Sequence, residues 1–258
     1  MTNVYVSLGV GVLTFGVGVL GLYLQRLLPE RHMSAGSRDM IVAVMGLLSL
    51  LLALVLGTLV GSAYSFFASQ KADVEAFCAQ SLQLDLAFRQ YGPETEPLRQ
   101  ALGSSMQEAL EAIEGDTEAY RRHFELGGYM AKFEKWNNAL SSLTPHTPVQ
   151  TQLISSMTAN SQAFQKTRLL MSLELASSIS WPLIGIVVSW AMLLFFGFGV
   201  MSRLNATSVG ALAFGSFAVA TAIFLILELN QPFSGLFRIP AASIEQAIGV
   251  LTEKPAGG

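Results

Sequence analysis

Several groups of residues in this chain have the types and spacing from which chemistry is built. Gly16-Val-Gly-Val-Leu-Gly21 matches the phosphate-cradling pattern G-x-G-x-x-G letter for letter. That pattern binds a dinucleotide only between a strand and a helix, with an acid about 20 residues on, and here it lies inside an uncharged apolar run. His32, His123 and His146 are scattered and form no paired-ligand spacing, and Cys78 is the single cysteine, so no zinc site or disulfide framework follows. Glu228, Asn230 and Glu245 are too few for a calcium ion, which takes six to eight oxygens. The run Glu108, Glu111, Glu114, Asp116 and Glu118 reads as a solvated helix face. No G-x-S-x-G nucleophile elbow occurs. Asn205-Ala-Thr207 has the form of a glycosylation sequon but sits in a very short loop between two apolar runs. The reading is therefore no enzyme, no catalytic residue, no metal and no cofactor.

The elements that carry these residues explain why chemistry is so sparse. Of 258 residues, 52% are hydrophobic and 13% charged, with a mean hydropathy of +0.48. Soluble domains carry about 25% charged residues. Of the 33 charges, 22 fall between Lys71 and Ser178, which holds 9 basic and 13 acidic residues. A formal net charge of −3 offers no basic surface for nucleic acid. These features exclude a soluble protein, a disordered one and a nucleic-acid binder. They point to an integral membrane protein in contact with the lipid bilayer.

A helix needs about 20 apolar residues to cross the hydrocarbon core. Four uncharged runs qualify: Val4–Leu24, Met40–Gln70, Ser177–Met201 and Ala206–Leu227. Met1–Tyr5 has no basic n-region and no small-residue cleavage site follows Leu24, so the first run is expected to stay as an anchor. The chain accordingly divides into 1–70 (two spans and an arginine-bearing loop), 71–178 (a helical extramembrane domain), 179–228 (a hairpin of two spans) and 229–258 (a post-membrane segment and tail). An even number of spans puts both termini and the 71–178 domain on one side. Arg26, Arg31, Arg38 and Arg203 in the short loops lean those loops toward the cytoplasm under positive-inside counting.

The 71–178 segment is patterned for helices throughout. Val74, Phe77, Cys78, Leu82, Leu86 and Phe88 extend the second span outward as a buried stripe, and Leu98, Leu102, Met106, Leu110 and Ile113 form the next. Gly92-Pro93, Gly115-Asp116-Thr117 and Gly127-Gly128 are expected breaks. Thr147 is an expected N-cap before Pro148, from which Leu153, Met157, Phe164 and Leu169 mark another helix. Ile244, Ala247, Ile248 and Leu251 form an amphipathic final helix expected to pack on the membrane or on the bundle. The fold class is all-α.

Glycine dominates the first two spans. Gly9, Gly11, Gly16, Gly18 and Gly21 in the first are helix-packing candidates, because small residues let helix backbones approach in lipid. In the second span Gly46, Leu50, Ala53, Gly57, Gly61 and Tyr64 follow each other at three- or four-residue steps. One reading is packing, within the chain or between copies. The other is the lining of a narrow pore. No ionisable residue lies in the middle of any span, which argues against a proton-coupled pump and leaves a passive channel or a protein that transports nothing.

Four stretches also carry a resemblance. Leu28-Pro-Glu-Arg-His32, the second span from Gly46 to Gly57 and on to Ser62-Ala63, Tyr91-Gly-Pro-Glu94 after Leu84-Asp85, and Leu229-Asn-Gln-Pro-Phe-Ser-Gly235 resemble the bacterial bestrophin-like domain family, in family order over nearly the whole chain. More distantly the chain is similar to the bestrophins. That resemblance implies a homo-oligomer, a pentamer by analogy, that conducts inorganic anions through a pore lined by the second span. It implies a multi-pass protein of the bacterial inner membrane with its helical domain and termini in the cytoplasm, opposite to the lean of the arginine loops. The post-membrane motif would be Glu228, Asn230, Pro232, Phe233 and Gly235. Two departures stand out. Gly61-Ser-Ala-Tyr-Ser-Phe-Phe67 replaces the polar and aromatic signature after the bestrophin pore helix, and Arg238, Ile239 and Pro240 follow where animal bestrophins bind calcium with acids. The competing class is a membrane-anchored sensory or scaffolding protein without transport.

Overall fold

The computed structural model describes residues 2–27, 35–115, 126–176, 181–233 and 235–252. Eight α-helices span them: α1 (Thr2–Leu27), α2 (Ala35–Tyr91), α3 (Glu96–Glu114), α4 (Leu126–Ser141), α5 (Pro148–Ala176), α6 (Trp181–Met201), α7 (Ala206–Leu229) and α8 (Ala242–Thr252). No strand occurs among the described residues. Helices α1, α2, α6 and α7 are long and apolar enough to cross a membrane. The protein is an all-α multi-pass membrane protein. Helix α2 has 57 residues. At 1.5 Å per residue it is about 85 Å long, nearly three times a bilayer core.

The chain forms two compact units. The first comprises residues 1–66 and 179–230. In it α1 packs on both α6 and α7. Gly11 lies against Ala220 and Ser216, Gly18 against Leu212, and Asn3 reaches Glu228, so α1 and α7 run antiparallel. Helices α6 and α7 are joined through four residues, with Asn205 capping α7 through a bond from the Ser208 amide at 2.7 Å. That cap is the structural role of the asparagine in the sequon-like triplet.

The second unit comprises residues 67–178 and 231–258. Its core joins Phe77, Phe88, Leu102, Met106, Met157, Phe164, Phe233 and Ile244 from the outer part of α2, from α3, α5 and α8, and from the segment before α8. The final helix therefore packs on the bundle. Gly92 ends α2 at φ +132°, where an L side chain is strained, and Pro93 opens the short 3-10 turn Pro93–Thr95 before α3. Gly115 closes α3, and Thr147 caps α5 by accepting from the Gln150 amide at 3.1 Å. Gly127 and Gly128 stand in the first turn of α4, and residues 116–125 before them lie outside the described residues. Two expectations are corrected here. Leu86 is 58% exposed and Leu169 is 37% exposed. Both fall beside the buried stripes, which run Val74, Phe77, Cys78, Ser81, Leu84, Asp85, Phe88 on α2 and Met157, Ser161, Phe164, Arg168, Met171 on α5.

Candidate functional site

The small-residue series of α2 is uncovered among the described residues of the chain. Gly46, Leu50, Ala53, Gly57, Gly61 and Tyr64 are all exposed, with Leu50 at 71% and Tyr64 at 62%. A Cβ placed on Gly46, Gly57 or Gly61 would meet nothing within 4 Å. The covered face carries Met45, Leu52 and Ala63. At 100° per residue the open series lies about 130° round the helix from those three. Leu47, Leu51, Leu54 and Thr58 occupy the other side of the open arc and are likewise exposed. One side chain of the covered face has a visible partner, since Met45 lies where a Cβ on Gly197 of α6 would stand.

The glycines of α1 divide into two sets. Gly11, Gly18 and Gly21 face α6 and α7, and a Cβ on Gly21 would collide with the backbone of Phe196, Gly199 and Val200. Gly199 is equally tight against Gly18 and Gly21. Only glycine on both helices permits that crossing. Gly9 and Gly16 face open space. All six residues of the G-x-G-x-x-G match are helical, and the described residues before them belong to the same helix.

The post-membrane residues act locally in each unit. In the first, Glu228 is buried and accepts a bond from Asn3 Nδ2 at 3.1 Å, while Asn230 Nδ2 donates to the Ile226 carbonyl at 2.7 Å and ends α7. In the second, the Ile239 amide donates to the Pro232 carbonyl at 2.9 Å, closing a loop in which Gly235 takes φ +101° and Phe233 enters the core. Among the described residues no group of three His, Cys, Asp or Glu could hold a metal ion.

A model of the Bestrophin-like domain matches residues 12–244. The chain belongs to the Bestrophin-like family. Solved structures agree at the level of fold. One variant of a bacterial bestrophin homologue from Klebsiella pneumoniae superposes with a TM-score of 0.70 at 14% identity, covering 96% of this chain and 99% of that one. A second variant gives 0.67 at 15% identity over the same shares, and a variant described as a membrane protein gives 0.70 at 14%, covering 95% and 96%. No curated protein sequence matches significantly.

Within this Bestrophin-like chain the shared motifs have plain structural roles. Leu28–His32 lies outside the described residues, as does His123. Tyr91-Gly-Pro-Glu94 is the terminator of α2, where Thr95 Oγ1 donates to the Phe88 carbonyl at 2.7 Å and Gln150 Nε2 donates to the Tyr91 carbonyl at 3.1 Å. Asp85, quoted for the resemblance alone, proves to be an ionic hub. Its carboxylate accepts from Arg89 Nε at 2.6 Å and Arg99 Nε at 2.9 Å, and its side chain is 7% exposed. The hydrogen bond to Asp85 is the main cause that holds the Arg99 guanidinium above its already high pKa. Arg89 Nη2 donates in turn to the carbonyls of Val250 and Leu251 in the last turn of α8. Reading the sequence missed this hub, because its members are 14 and about 160 residues apart. The only local signal was the Asp85–Arg89 spacing of four.

Proposed function

We propose that this Bestrophin-like protein is a homo-oligomeric ion channel, conducting inorganic anions through a pore lined by α2. The observation that carries the reading is the open series Gly46, Leu50, Ala53, Gly57, Gly61 and Tyr64, exposed along its whole length among the described residues. A subunit that leaves so much of a membrane helix unpaired is suited to closing against copies of itself. Small residues with accessible backbone are suited to a narrow passage. The family supplies the reaction class, passive ion movement rather than catalysis, and pentameric assembly is the form it favours. In this reading Gly57 and Gly61 set the width, and residues 71–178 and 229–258 lie in the cytoplasm of a bacterium, with the spans in its inner membrane. A reporter fused after Gly258 tests that orientation.

The deciding experiment is halide and cation flux from proteoliposomes, wild type beside Gly57→Leu. A Cβ on Gly57 meets no neighbour in its own chain, so the variant should fold normally, and its oligomeric state is checked before the fluxes are compared. Flux driven by an anion gradient should fall at least tenfold in the variant. Equal flux in an intact Gly57→Leu oligomer removes α2 from the pore. A wild-type oligomer that passes neither ion leaves a sensory or scaffolding role in place of the channel.

A further inference from the structure

The segment after α7 turns two large apolar side chains inward and two outward. Phe233 and Ile239 are buried in the core of the second unit, and the Ile239 amide donates to the Pro232 carbonyl at 2.9 Å. Between these pinned ends the chain turns at Gly235, whose φ of +101° suits glycine and few other residues. Leu236 and Phe237 stand at the tip, 78% and 46% exposed, and Arg238 beside them is exposed as well. Water opposes that arrangement, because the outward pair leaves large apolar side chains unburied.

Position in the chain supplies a reason for it. Helix α7 has 24 residues, about 36 Å at 1.5 Å per residue, against a hydrocarbon core of about 30 Å. Its last residue, Leu229, is therefore within reach of the headgroup layer. Pro232 follows three residues later, at most about 10 Å along an extended chain. The loop from Pro232 to Ile239 is closed by its hydrogen bond, so its tip stays within about 14 Å of its base. Charge fits the same layer. From Leu229 to Ile244 the only charged residue is Arg238, so no carboxylate in this stretch repels lipid phosphate. Single exposed apolar residues are ordinary on any surface. An adjacent leucine and phenylalanine on a constrained tip, next to an arginine and a few residues beyond a span, have the composition of an interfacial anchor.

We propose that the tip Leu236-Phe237-Arg238 is a bilayer anchor. Leu236 and Phe237 enter the boundary between headgroups and acyl chains, and the Arg238 guanidinium bonds lipid phosphate. The loop, held at both ends by Phe233 and Ile239, passes that hold on to the core of the second unit. The role needs neither ion conduction nor a particular orientation, since both leaflets present phosphate.

The test is spin-label accessibility in the full-length protein, reconstituted in liposomes of phosphatidylethanolamine and phosphatidylglycerol. Phe237→Cys in a Cys78→Ser background carries the nitroxide, whose apolar side chain takes the place of the phenyl ring. Ser155→Cys, at an exposed position of α5, is the aqueous reference. Oxygen concentrates among acyl chains, whereas a polar nickel chelate stays in water. The ratio of oxygen to nickel accessibility should be severalfold higher at 237 than at 155. Leu236→Asp should return it to the aqueous value, and Arg238→Gln should lower it by a smaller factor. All three tip residues are exposed, so these variants leave the core untouched, and a melting curve like the wild type's checks each one before labelling. A ratio at 237 no higher than at 155 puts the tip in water. Low accessibility to both reagents puts it against protein, in a second copy or elsewhere in this chain. Either result overturns the proposal, as does a ratio that Leu236→Asp leaves unchanged.

Discussion

The two halves of α2 make opposite use of one continuous helix. From Val74 to Tyr91 its buried stripe is closed by its own chain, with Phe77 and Phe88 fully enclosed and Phe164 stacked on Phe77. From Met45 to Ala63 a single narrow face is covered, and the arc from Gly46 round to Leu54 is open. The difference follows from the solvent. Water drives apolar side chains together, so the outer half completes its core within its own chain. Lipid supplies no such drive, and helices there associate where small residues allow close contact. Gly18, Gly21 and Gly199 already serve that purpose between α1 and α6, whereas Gly46, Gly57 and Gly61 meet no neighbour among the described residues.

Breaking the closed contact should have the largest effect. Gly21→Leu places a side chain into the backbone of α6, which has nowhere to move. Ordinary overpacking costs about 1–3 kcal/mol because neighbouring side chains shift. A backbone obstacle should exceed that and leave no monodisperse protein after purification. Gly61→Leu, on the open face, should purify and melt as wild type does. If the two variants behave alike, the distinction between engaged and open glycines fails.

Cysteine chemistry sharpens the same contrast. Burial, then the nearby Glu75 charge, pushes the Cys78 thiol from 9.0 up to about 11. At neutral pH the reactive thiolate should be about a hundredfold scarcer than in the unfolded chain, and enclosure adds to the protection. Cys78 is thus unsuited to one-sided labelling as a reporter of orientation. Native protein should resist maleimide at pH 7.5 and react promptly once unfolded. Gly61→Cys in a Cys78→Ser background should react with a charged, water-soluble thiosulfonate if that face lines an aqueous pore, and stay inert if lipid covers it. The raised pKa also fixes a pH dependence. Between pH 9 and about 11 the native thiol keeps a proton that the unfolded chain has released, so stability falls as pH rises through that window. Cys78→Ala should remove that part of the slope.

Helices and spans were legible because their signals are local. Runs of apolar residues located all four membrane helices, and three of them to within a few residues; α2 continues past Gln70 to Tyr91, as its outward stripe anticipated, and Gly92-Pro93 and Thr147-Pro148 marked real boundaries. Membership in the Bestrophin-like family was legible for the same reason, since its motifs are short contiguous strings. The seven-residue spacing puts Gly9 with Gly16 and Gly11 with Gly18 on separate faces of α1, but it gave no way to tell which face is jammed against α6 and which meets open space. Only the crossing point of α1 and α6 separates them. The Asp85 hub was hidden more deeply, as it joins residues from three helices through contacts no periodicity encodes.

That hub supplies the next effect in size. Asp85→Asn leaves Arg89 and Arg99 facing a neutral amide, with their side chains 24% and 21% exposed. Fully buried pairs lose about 3–5 kcal/mol when one partner is removed, and exposed pairs are worth about 0–1 kcal/mol. A loss of about 2 kcal/mol is expected for this intermediate case. Arg89 should also loosen its hold on α8, so limited proteolysis near Val250 should accelerate. Denaturation unchanged within 0.5 kcal/mol would mean that the hub orders nothing; that threshold is about the scatter of neutral surface substitutions.

The smallest effect belongs to the outer unit's one sequence-legible cap. Thr147 Oγ1 accepts from the Gln150 amide at 3.1 Å, and the Thr151 amide bonds the Thr147 carbonyl at 3.1 Å, so the first turn of α5 depends on this residue from two atoms. Thr147→Ala removes only the side-chain bond and should cost about 1 kcal/mol, whereas Thr147→Ser keeps the hydroxyl and should cost far less. The alanine variant should leave ion flux and assembly untouched, because the cap lies in the half of the molecule that is complete within one chain. Should Thr147→Ala disturb flux while Thr147→Ser does not, the start of α5 would belong to the conducting machinery, and the contrast between a self-contained outer half and an open membrane half would have to be redrawn.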